Sequence, residues 1–160
     1  MKFGALTILA CALSLASVSA ASAASSTASG SVALALAGVI APHSPLPAAE
    51  KTAVAALFNG DNHVAYAKTI TVTADKIVCR ASNVDITARS CELTFGGHIS
   101  TVKGRAANEI FATEALAGVP SDGAAGTIYE SLTRLSCTLD PKVIRENGGG
   151  GADCTFQPGN

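Results

Sequence analysis

The stretch Lys68-Thr69-Ile70-Thr71-Val72-Thr73-Ala74-Asp75-Lys76-Ile77-Val78-Cys79 decides the fold class, because its apolar residues recur at every second position. Ile70, Val72 and Ala74 alternate with Thr69, Thr71 and Thr73, and a β-branched run continues through Ile77, Val78 and Cys79. Strand side chains alternate between faces, so this period predicts a strand with one apolar face. Downstream, Ser82-Asn83 predicts a turn, and Val84, Ile86 and Ala88 share a side. After a break near Arg89-Ser90 that side resumes with Cys91, Leu93 and Phe95, and Gly96-Gly97 turns the chain into a short strand from Ile99 to Lys103.

The period then lapses. Gly104 to Ala117 is rich in Ala and Glu and reads as the principal helix, with Gly118 past its end and Pro120 after that. Two buried faces fit it: Phe111, Ala115 and Val119 with Ala112 and Leu116, or Ala107, Ile110 and Phe111 centred near Glu114. Glu114 is expected at the edge of such a face, since burying an unpaired charge is costly. Val119 to Gly126 reads as a loop. Leu135, Cys137 and Leu139 alternate as a strand ending at Asp140-Pro141, the glycines Gly148 to Gly151 read as a flexible loop, and Cys154 to Phe156 as a last short strand.

Upstream, the apolar run Val32 to Ala41 is too short to span a bilayer and favours a helix through Val32, Leu36, Val39 and Ile40. Ser44-Pro45 is expected to cap and open a second helix that closes at Asn59-Gly60, with Leu46, Ala53, Val54, Leu57 and Phe58 as its apolar stripe. The two would form a hairpin turning at Pro42-His43-Ser44. Asn59-Gly60-Asp61-Asn62 offers oxygen ligands but lacks the spaced carboxylates of a calcium loop, so it reads as a helix end and turn. The fold class is therefore α+β: an antiparallel sheet of about four to five strands with one main helix packed on it, preceded by a short helical segment or hairpin.

Lys2 is the only charged residue before Glu50, and the apolar run Phe3 to Leu15 passes into Ala and Ser, the layout of a secretory signal peptide. Cleavage fits after Ala20 or Ala23, which makes residues 1–23 a signal peptide, 24–31 a small-residue flexible leader and 32–160 a single domain. Within that domain residues 32–60 form the helical part and 68–157 the disulfide-bonded sheet and helix. The expected location is periplasmic or secreted, with no transmembrane segment in the mature chain. Cys11 falls inside the signal peptide, leaving Cys79, Cys91, Cys137 and Cys154, an even number for an oxidising compartment. Pairing Cys79 with Cys91 and Cys137 with Cys154 closes the short loops. Spacings of 12 and 17, without any Cys-x-x-Cys, argue against zinc and redox chemistry.

Charged residues make up 14% of the chain and the formal net charge is -1, which argues against nucleic-acid binding by phosphate neutralisation and against a disordered acidic tail. No nucleophile elbow, zinc-protease motif or phosphate loop occurs. His43, His63 and His98 lie far apart without a carboxylate at ligand spacing, so each reads as a surface or turn residue, and no metal or other cofactor is expected. What remains is a pair of loops flanking one strand, Val119 to Gly126 with Ser121 and Asp122, and the segment after Cys137 with Thr138, Leu139, Asp140 and Pro141. Loops on a rigid scaffold commonly carry binding function.

Two resemblances bear on this. At Ser82-Asn83-Val84-Asp85-Ile86-Thr87-Ala88-Arg89-Ser90-Cys91-Glu92-Leu93-Thr94-Phe95 and at Gly118-Val119-Pro120-Ser121-Asp122-Gly123-Ala124-Ala125-Gly126 the chain resembles small exported bacterial proteins without an assigned function. At Cys137-Thr138-Leu139-Asp140-Pro141 it resembles the secreted subtilisin-inhibitor family, whose protease-binding loop begins just after a disulfide cysteine on a two-disulfide α+β sandwich. The chain departs from that family in its cysteine spacings and in its four consecutive glycines. The sequence thus leads to a non-catalytic, disulfide-stabilised exported domain that binds a protein or envelope component. A peptidase inhibitor using Thr138 to Val143 is the alternative, and a small exported enzyme the third reading.

Overall fold

The structure, a computed structural model, describes residues 25–82, 89–116, 122–124 and 127–158. Helix α1 (Ser31–Ile40) buries Ala33, Leu36, Ala37 and Ile40, runs into a 3-10 turn at Ala41–His43, and is followed by α2 (Ala48–Phe58). The expected helical hairpin forms. Its inner turn depends on Gly38, where an added Cβ would lie 2.7 Å from Phe58 Cγ, so the glycine sets how closely the two helices approach.

The start of α2 corrects the sequence reading. Ser44 does not cap it: Ser44 Oγ donates to the Ala41 carbonyl at 2.7 Å and accepts from Leu46 N at 3.3 Å, and Pro47 holds the N-cap position. Two prolines, Pro45 and Pro47, hold this segment extended ahead of the helix, which a residue preceding proline favours.

Among the described residues seven strands form one antiparallel sheet: β1 (Ser26–Ser29), β2 (Ile70–Ser82), β3 (Arg89–Phe95), β4 (His98–Lys103), β5 (Asp122–Ala124), β6 (Thr127–Leu139) and β7 (Ala152–Pro158). The order across it is β1-β7-β6-β2-β3-β4, with β5 paired to the start of β6 on the side that β7 borders further along. The sheet exceeds the expected strand number because two segments read as irregular are strands. Ser26–Ser29, within the expected flexible leader, pairs with Phe156 to Asp153, and Gly30 N donates to the Ala152 carbonyl at 2.8 Å. Asp122–Ala124, within the expected loop, pairs with Tyr129 to Thr127. Both are short and built from small or polar residues. Backbone pairing to an existing edge holds them, and an apolar period does not.

The sheet turns one face to the helices. Ile70, Val72, Ala74, Ile77 and Cys79 of β2 are buried with Leu132, Leu135, Cys137 and Leu139 of β6, beneath α1 and α3 (Arg105–Leu116). The buried parity switches from even to odd between Ala74 and Ile77, and in β6 between Leu135 and Leu132. Asp75 and Arg134 stand at the switch, and Arg134 has φ 53, the one positive φ outside glycine among the described residues. One extra residue in each strand re-aims the side chains that follow, as a bulge does. In α3 Ala107, Ile110 and Phe111 are buried, while the side chains of Ala112, Ala115 and Leu116, and Val119, which carry the other expected face, lie outside the described residues; Arg89 lies 5.1 Å from the Phe111 ring centre. The side chain of Glu114, the turn at Asn83 and residues 84–88 lie outside the described residues.

The opposite face is hydroxylated. Thr27, Thr155, Ser136 and Thr73 stand in register across β1, β7, β6 and β2, and Thr73 and Ser136 share a 3.0 Å hydrogen bond. Threonine suits a pleated, water-facing surface, which explains this face without a ligand.

Both disulfides form as the spacing suggested. Cys79 and Cys91 stand directly opposite in the β2–β3 pair, Cys137 and Cys154 in the β6–β7 pair, each with Cα atoms 4.0 Å apart. All four are fully buried on the helix-facing side.

Candidate functional site

The segment after Cys137 is ordered secondary structure. Thr138 is exposed on the outer sheet face, Leu139 is buried in β6, and Asp140 caps α4 (Pro141–Asn147). Asp140 Oδ1 accepts from Lys142 N at 3.0 Å and Val143 N at 3.1 Å, and Pro141 occupies the first helical turn with its side chain buried. Asp-Pro therefore opens a helix as well as ending a strand, the pairing of capping oxygen and pre-set φ that helix starts favour. The segment Thr138 to Val143, expected as a loop, forms the end of β6 and the first turn of α4. Asp122 lies in β5, while Ser121 lies outside the described residues.

The tetraglycine is also corrected. Gly148 (φ 57), Gly149 (φ 111) and Gly151 (φ 84) adopt backbone conformations that side chains disfavour. An added Cβ at Gly151 would meet Val143 Cβ at 2.7 Å, and at Gly149 the Ser31 backbone nitrogen at 3.3 Å. These glycines make a packed turn.

Among the described residues, two cavities border the helical hairpin. One, of about 200 Å³, lies beside α4 and the end of α2 and includes Phe58, Asp61 and Arg145. Its two charged groups are engaged: Arg145 Nη1 donates to the carbonyls of Val64 at 2.7 Å and Tyr66 at 3.2 Å, and Asp61 Oδ1 accepts from His63 N at 2.8 Å. Arg145 pins the connector between α2 and β2.

The other is a cleft of about 400 Å³ between the helical hairpin and the β3–β4 hairpin, lined by Pro42, His43, Ser44, Pro45, Lys51, Phe95, His98 and Ser100. That volume falls within the range of small-molecule sites. Strand alternation puts His98 and Ser100 on one side of β4, and His98 pairs in register with Phe95, whose ring is buried at the floor. Gly96 N donates to Asp75 Oδ2 at 2.6 Å and holds the hairpin tip. From the other wall, His43 Nδ1 lies 2.8 Å from Ser100 Oγ, joining residues 57 positions apart. Lys51 Nζ donates to the Pro42 carbonyl at 3.1 Å. Partial burial, then the positive charge of Lys51, lower the His43 pKa below its ordinary 6.5, which favours the neutral ring at pH 7. When Ser100 donates to Nδ1, the ring proton resides on Nε2.

In the sequence His43 and His98 stand far apart, and nothing singles out Lys51 or Ser100. One signal was available. In the expected strand Ile99 to Lys103, Ser100 lies two residues from His98, so strand parity alone places both on one face. The approach of His43 and Lys51 depends on the angle of the helical hairpin, which no local pattern encodes.

Among the described residues no three His, Cys, Asp or Glu side chains group as metal ligands, and no helix is long and apolar enough to cross a membrane. These features define a small disulfide-stabilised α+β domain: a single antiparallel sheet, helices on one face, and a histidine-lined cleft at one end of the layer between them. No family model, curated protein or solved structure matches the chain.

Proposed function

We propose that the protein is a non-catalytic, exported binding domain whose ligand or partner engages the cleft between the helical hairpin and the β3–β4 hairpin. The observation that carries this reading is the convergence of His43, Lys51, His98 and Ser100 from three separate elements on one cleft with an apolar floor. A concave, partly apolar site with a few placed polar groups is the usual form of a binding site. Export is supported by the residues before Ala24 and by two buried disulfides, which persist in oxidising compartments. The ligand belongs to that compartment, free or carried by a protein or envelope component.

Photo-cross-linking in the living cell tests this. A reactive residue replacing Pro45 at the cleft rim is expected to capture one recurrent species, visible as a mass adduct, that is lost on His43→Ala. The same residue replacing Thr155 on the outer sheet face is expected to capture none. Capture from position 155 alone would refute the cleft as the binding surface.

A second reading rests on the 2.8 Å contact between His43 and Ser100: a hydrolytic enzyme with Ser100 as nucleophile and His43 as its base. It predicts covalent labelling of Ser100 by a fluorophosphonate, lost in both Ser100→Ala and His43→Gln. An unlabelled, fully folded protein would exclude it.

A further inference from the structure

The cleft has a charge preference. Lys51 lines it as a cation and His43 and His98 as imidazoles, and among the described residues no carboxylate lines it. Ser44 Oγ is engaged by its own turn, so the polar groups left to a ligand are those of Lys51, His43, His98 and Ser100. Lys51 gives one proton to the Pro42 carbonyl and keeps two. With Ser100 donating to Nδ1, His43 keeps a donor at Nε2, and the protonated ring keeps it as well. Donors therefore outnumber acceptors at the polar end. Phe95, Pro42 and Pro45 supply the apolar remainder.

We infer that the cleft binds a small organic acid, its oxyanion held by Lys51 and the histidines and its apolar body against Phe95 and the two prolines. This rests on the binding-domain reading above and adds the ligand's chemical class. A neutral molecule of the same shape forgoes the attraction to Lys51, and a cation is repelled by it. Inorganic phosphate satisfies the donors but leaves the Phe95 floor uncovered.

The test is a titration of the oxidised protein with benzoate, benzyl alcohol, benzylammonium and inorganic phosphate, followed by the NMR signals of His43, His98 and Ser100. Benzoate is expected to shift all three saturably, with a Kd on the order of 1 mM. Lys51→Met is expected to weaken it about fivefold, the scale of one exposed ion pair. His98→Asn, at an exposed position, is expected to weaken it too, and Thr155→Val to leave it unchanged. Benzyl alcohol binding as tightly as benzoate would overturn the oxyanion assignment and leave the binding-domain reading standing. Phosphate binding as tightly as benzoate would overturn the organic acid. Silence of all three signals with every probe would also overturn the inference, and capture from position 45 in the cell would then decide separately whether the binding-domain reading survives.

Discussion

Replacing Gly148, Gly150 and Gly151, three of the four glycines after α4, one at a time by alanine separates a packed turn from a slack one. At Gly151 two penalties combine: φ 84, and a Cβ 2.7 Å from Val143 Cβ and 2.9 Å from Val143 Cγ1. A left-handed backbone costs a side chain about 1–2 kcal/mol, and overpacking a filled site about 1–3 kcal/mol, so Gly151→Ala should lose roughly 2–5 kcal/mol. The Gly151 carbonyl also accepts from Asp140 N at 2.8 Å, so movement to relieve the clash disturbs the start of α4. Gly148 has φ 57 but open space at its Cβ, and only the backbone penalty applies, about 1 kcal/mol after the gain from a stiffer unfolded chain. Gly150 has no positive φ and its added Cβ would sit 3.1 Å from Asn147 Cβ, so Gly150→Ala should stay within about 1 kcal/mol of wild type. Urea unfolding followed by far-ultraviolet circular dichroism measures all three. Against a net stability of about 5–15 kcal/mol the Gly151 variant should be visibly crippled. If the three variants lie within about 0.5 kcal/mol of one another, the turn is not packed as described and the reasoning fails.

Other perturbations follow from the same contacts. Replacing Cys137 and Cys154 together by alanine should cost about 3 kcal/mol by loop-closure entropy, and Cys79 with Cys91 slightly less for the shorter loop; a loss under about 1 kcal/mol in denaturant titrations would contradict this. Arg134→Gly should stabilise the protein by about 0.5 kcal/mol, because relief of the positive φ outweighs the entropy of the freer unfolded chain, and a lower melting temperature would be the opposing result. The lowered His43 pKa implies that the unfolded chain binds more protons than the folded one as pH falls through 6.5. His43 therefore contributes stability that is complete above pH 6.5 and is lost below it, down to the folded-state pKa. His43→Gln should flatten that part of the stability profile, and an unchanged slope would assign it elsewhere.

The parts of the fold legible in the sequence are those whose side chains alternate or repeat: β2, the cores of β3 and β6, α1, α3 and both disulfide pairs. The rest failed for identifiable reasons. Ser26–Ser29 carries no apolar period and becomes a strand only because β7 offers an unpaired edge. Asp140-Pro141 serves strand end and helix start equally well, and the choice depends on Ile144 finding the core one turn later, where it is buried. Four glycines suggest freedom, yet three of them are required by backbone angles that no composition reveals. The cleft was the least legible. Strand parity pairs His98 with Ser100, but His43 and Lys51 reach them through the tilt of one hairpin against another.

The disulfides join neighbours in chain order, Cys79 to Cys91 and Cys137 to Cys154, and each staples one pair of strands. Between these two covalent units, the long pairing of β2 with β6 rests on hydrogen bonds and packing alone. A chain emerging N-terminus first meets its cysteines in the order in which they pair, so oxidising each as it appears produces the native linkage. Folding then requires an oxidant but no reshuffling. The slow step falls to the closure of β2 on β6, contacts far apart in sequence whose ordering entropy must be met before they stabilise the fold.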